Sequence, residues 1–118
     1  MSANWISHKG KNILLIDYNG LDLQQQLDQI RTATKILLDT GKKDNLTISD
    51  VRNITISNEF TELAKTMGKQ SGQVTKKAAA LGVSGIRKVI LQAVNAFSGN
   101  PRRPFDTLEE AKDWLVEE

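Results

Sequence analysis

The stretch that most narrows the folds open to this chain is residues 76–99. There the apolar run Ala78-Ala79-Ala80-Leu81 leads into Gly82-Val83-Ser84-Gly85 and then into a segment with helical spacing. Strand, glycine turn and helix in that order make half of a βαβ unit, with the helix N-terminus aimed at the carboxyl end of a sheet. Alanines favour helix by propensity, whereas the position between two helical segments and before Gly82 favours a buried strand. Strand is the reading adopted for residues 74–81.

The rest of the chain extends this pattern. Residues 4–7 and 12–18 flank His8-Lys9-Gly10-Lys11, and Ile13-Leu14-Leu15-Ile16 is too uniformly apolar for a one-sided strand, so a hairpin leads into a central strand. Asp22 with Gln25 marks a helix start, and Leu23, Leu27, Ile30, Thr34, Leu37 and Leu38 return at helical spacing until Gly41. Residues 46–51 form the next strand, parallel to the second because a helix lies between them. Phe60, Leu63, Ala64 and Met67 trace a second amphipathic helix whose end Gly68 and Gly72 weaken, and Ile86, Val89, Ile90, Ala93, Val94 and Phe97 a third, stopped by Gly99 and Pro101. From Pro104 a short extended segment leads to a last helix, with Thr107 and Glu110 as its capping box. The expectation is one α/β domain over residues 1–118, of order β-β-α-β-α-β-α-α, with a mixed, mostly parallel sheet of four to five strands.

Composition bounds the chemistry. A hydrophobic fraction of 39% and a charged fraction of 25% are ordinary for a globular domain and argue against disorder. The absence of cysteine excludes disulfides, a thiolate nucleophile and a cysteine-bound metal. A single histidine, His8, excludes a multi-histidine metal site, and its place in the hairpin turn suggests a solvated ring. No apolar run approaches the ~18 residues of a membrane span, and residues 1–5 lack a leader pattern, so the expectation is a cytoplasmic protein without a membrane span. From Leu63 to Phe105 there are eight basic residues and no acidic one, which offers a side for anions. Aromatic residues do not interleave with Arg102, Arg103 and the lysines, which argues against nucleic acid.

Three motifs over nearly the whole chain, residues 10–18, 78–88 and 104–115, resemble the SpoIIAA-like family of the STAS/Sec14 domain superfamily. The resemblance implies the STAS-like element order and a regulatory or protein-interaction role. STAS relatives that switch partners carry a phosphorylated serine at a helix start. Here the corresponding place is near Thr55-Ile56-Ser57-Asn58, which lacks their aspartate-serine-serine-glycine pattern. Sec14-like relatives enclose lipids beside the sheet, but in much longer chains.

Among individual residues, Gly82, Ser84, Gly85, Arg87 and Lys88 form the candidate anion site, because free amides at a helix N-terminus attract negative charge and cations in a first turn need a reason. The competing reading is a tight turn with an exposed basic pair. Ser57 is a candidate phosphoacceptor, with an N-cap as the competing role. Asp17 and Asp50 end strands and read as carboxylates holding loop amides. Trp114, Phe105 and Leu115 read as a clasp for the last helix, with Trp5 on the same side; an exposed tryptophan would instead indicate a partner surface. No nucleophile–base pair, metal set or phosphate loop can be assembled, so no catalytic residue, metal ligand or cofactor is assigned. The expected function is a non-enzymatic STAS-type module that binds a partner protein or a second copy of itself. The alternative is a binder of an anionic small molecule or lipid at the helix start of residues 82–88.

Overall fold

A computed structural model of the chain describes residues 2–98 and 101–117. It shows an α/β architecture in the order β1 (Ser2–His8), β2 (Lys11–Asp17), α1 (Leu23–Asp39), β3 (Asn45–Asp50), α2 (Asn58–Gly72), β4 (Thr75–Leu81), α3 (Ile86–Ser98), β5 (Arg102–Phe105) and α4 (Leu108–Val116). Lys9 and Gly10, with φ of 50° and 81°, make the two-residue turn of the first hairpin. Positive φ at both central positions matches the right-handed twist of the strands they join. Helix α1 starts on a complete capping box: Asp22 accepts from the Gln25 amide at 2.9 Å, and the Gln25 side chain accepts from the Asp22 amide at 3.0 Å. At α4 the box is half made. The Thr107 hydroxyl caps the Glu110 amide, while the Glu110 carboxylate accepts from that same hydroxyl rather than from the backbone.

The alanine run is a strand. Ala78, Ala79 and Ala80 are buried in β4, and the few tenths of a kcal/mol by which alanine prefers helix give way to ladder bonding and burial on both faces. Helix α2 runs on through Gly68 to Gly72, with Gly68 buried. The segment before α4 is a fifth strand that begins at Arg102, two residues ahead of the expected extended stretch. The expected stop at Gly99 lies outside the described residues.

The sheet order is β1-β2-β3-β4-β5, with β1 antiparallel to β2 and the remaining neighbours parallel. Because each parallel strand is laid beside its predecessor in one direction, right-handed crossovers place α1, α2 and α3 on a single face. Leu14, Ile16, Tyr18, Ile30, Leu37 and Phe60 form the core there. Helix α4 follows the last strand and covers the other face, packing Ala111 and Leu115 on Ile13, Ile48, Ala79 and Leu81. No helix among the described residues is long and apolar enough to cross a membrane.

Candidate functional site

The carboxyl ends of the parallel strands, where α/β sheets commonly bind ligands, are occupied by a hydrogen-bonded loop lattice. Asp17 accepts from the backbone and side-chain nitrogens of Asn19 at 2.9 and 2.8 Å, and Asn19 in turn accepts from the Asn53 amide at 2.8 Å. Asp50 accepts from the Arg52 amide at 3.2 Å and takes a two-pronged guanidinium contact at 3.0 and 2.8 Å. Both aspartates thus hold loops, as their place in the sequence suggested. Gly82 lies against this lattice with φ +89°, and a Cβ there would fall 2.6 Å from the Arg52 Cα. Only glycine fits so near a neighbouring backbone in that conformation.

Gly82, Ser84, Gly85, Arg87 and Lys88 share the turn into α3, but their donors are largely engaged. The Arg87 guanidinium donates to the carbonyl oxygens of Val51, Ile54 and Gly82, the last at 3.0 Å. This gives a cation in a first turn its reason: it ties the β3–α2 connection to the start of α3. The amides of Arg87 and Lys88 donate to Ser84 and Gly85 carbonyls at 3.2 and 3.1 Å, removing two groups an anion would use. Ser84 and Lys88 are exposed. Ser57 is the N-cap of α2, its hydroxyl accepting from the Phe60 amide at 3.1 Å.

The largest change from the sequence reading is a chamber of about 90 Å³ between the sheet and its three helices. Its origin lies in side-chain size. Thr47 pairs with Ala78 and Ser49 with Ala80, so two central strands present a floor of small residues to the helix face. Ile90, Leu91 and Val94 of helix α3 line the space from the side opposite that floor. Arg102, opposite Ala78 in the register, reaches into the chamber from β5, and Tyr18 closes one side with its ring edge-on to Phe60 at 5.3 Å between centroids. Burial depresses the Arg102 pKa and raises that of the Tyr18 phenol, against the pull of the Arg102 charge, so the phenol stays neutral. Among the described residues no hydrogen bond or ion pair of the Arg102 guanidinium is found; only its backbone is held, by Asn95.

Three further placements bear on the sequence reading. His8 is not merely solvated: its Nε2 lies 2.8 Å from an Asp113 carboxylate oxygen on α4, and its side chain is 16% exposed. Phe105 and Trp114 pack at 5.4 Å, the clasp expected for α4. Trp5, opposite Leu14 in the register, lies instead on the α1 side of the sheet and is 42% exposed. Among the described residues no group of three or more histidine, aspartate or glutamate side chains is arranged to hold a metal. In comparison with known proteins, the chain matches no family model and no curated protein.

Proposed function

We propose that this chain is a non-enzymatic, STAS-type regulatory module that works by docking a partner protein, with the outward side of α3 as the contact face. The observation that carries this reading is the exposure of Ile86 at 79% and Val89 at 64%, one turn apart on the same helix. Branched apolar side chains gain nothing from helix propensity on a wet surface, and neighbouring exposed ones mark interaction sites where scattered ones do not. Ala93 continues the stripe at helical spacing, and exposed Lys88 stands beside it in a stretch free of acids. The fitting partner surface is therefore apolar and rimmed by carboxylates. The non-enzymatic part of the reading is supported by the structural employment of the groups best suited to chemistry: His8 on Asp113, Asp17 on a loop, Asp50 on Arg52 and Arg87 on carbonyl oxygens.

A photo-cross-linking residue at Val89, introduced in cells of the protein's source, tests this. The expected result is one discrete adduct that disappears when Ile86→Asp is added. An adduct of twice the chain's mass identifies a second copy as the partner. Diffuse labelling, or an adduct indifferent to Ile86→Asp, overturns the reading.

A further inference from the structure

We propose that the chamber beneath α3 is a binding site for a small carboxylic acid with an apolar body, its carboxylate paired with Arg102. Three independent features converge on it. The first is space: the cavity of about 90 Å³ holds the volume of about three waters, room for an acid of only a few carbons. The second is a cation left over. A buried charge without a partner is costly enough that proteins pair it or neutralise it, and guanidinium, which does not lose its proton, must be paired. Arg102 is half-buried, lines the chamber beside a neutral phenol and has no carboxylate bonded to it among the described residues. The third is the lining, which sets the chemical class.

Elsewhere in the lining, Thr47, Ser49 and Tyr18 add hydroxyl-bearing side chains, whereas Ile30, Leu37 and Met67 offer only apolar surface. A single fork of parallel donors fits one planar carboxylate. A phosphate monoester would bring close to a second charge, and among the described residues no second unengaged cation lines the chamber, since Arg87 is tied to backbone carbonyls. The apolar walls then select an acid with a short hydrocarbon body.

The site differs from the turn of residues 82–88, which lies at its margin and contributes Val83 and Arg87 to the lining. It also goes beyond partner docking, since the chamber faces inward and the stripe of Ile86 and Val89 outward.

The test uses the full chain with propionate as probe and 1-propanol as its uncharged counterpart, read by two-dimensional NMR of the Ala78 and Ala80 methyl groups and the Arg102 Nε–H. Saturable shifts with propionate are expected, with propanol binding at least about tenfold more weakly, the loss of one charge-assisted contact. Arg102→Met should weaken propionate binding by a similar factor. It should also raise the melting temperature of the empty protein, because it removes a half-buried cation with no carboxylate bonded to it among the described residues. A merely structural arginine would give the opposite thermal shift. Ala80→Val, which fills the floor, should abolish binding while keeping the fold. The proposal is overturned if the floor methyls do not respond to propionate up to about 10 mM, well above specific affinities. Equal binding by Arg102→Met, or a fall in its melting temperature, overturns it too, and tighter binding of propyl phosphate than of propionate overturns the carboxylate assignment.

Discussion

At Asp50 two opposing effects meet. Burial favours the neutral acid, but the Arg52 guanidinium and amide bonds to its oxygens outweigh this and hold the carboxyl below the ordinary aspartate range. A carboxyl depressed in the folded state stabilises above its unfolded pKa, and that contribution fades as pH falls through the folded value. Urea unfolding measured across a pH series should show stability dropping below about pH 4. Asp50→Asn should be less stable at neutral pH and should flatten the acid limb; an unchanged limb would mean that other carboxylates carry it. The role of Asp50 was legible because a carboxylate at a strand end beside a loop has few other tasks. The partner of His8 was not, since Asp113 is 105 positions away and meets it only once α4 has crossed the sheet.

Among the elements, α2 offers the cleanest test of what one serine does. The Ser57 hydroxyl caps the Phe60 amide, so Ser57→Ala should cost about 1 kcal/mol. Ser57→Asp restores an acceptor with a charge suited to the positive end of the helix, and its stability should match or exceed that of the parent in chemical denaturation. A phosphate at Ser57 would therefore act through new charge rather than by unravelling α2. Helices α1 to α4 announced themselves through caps and apolar spacing. Strand β5 was only partly visible, because Arg102-Arg103-Pro104 looks like a solvated basic segment. Its alternation, with Arg102 towards the helices and Arg103 over Phe105 and Trp114 on the opposite side, emerges only from its register with β4.

For the whole molecule, the α/β class followed from element order, whereas the single-sided placement of three helices needed the strand order of the sheet before the handedness of the crossovers could give it. The chamber was not legible in the same way. A void is the difference between a floor and a roof belonging to separate segments, and no one window of sequence contains both. Its trace was nonetheless present: small residues at alternate positions of two adjacent strands, Thr47 and Ser49 beside Ala78 and Ala80. That hollow makes the protein sensitive to a variable unrelated to ligands or partners. Unfolding abolishes internal space, and the loss of volume on unfolding grows with the space a fold encloses. Hydrostatic pressure should therefore unfold the parent chain more readily than Ala80→Val, with tryptophan fluorescence reporting a smaller volume change for the filled variant. The small side chains that open the floor of the sheet also set how much compression the fold withstands.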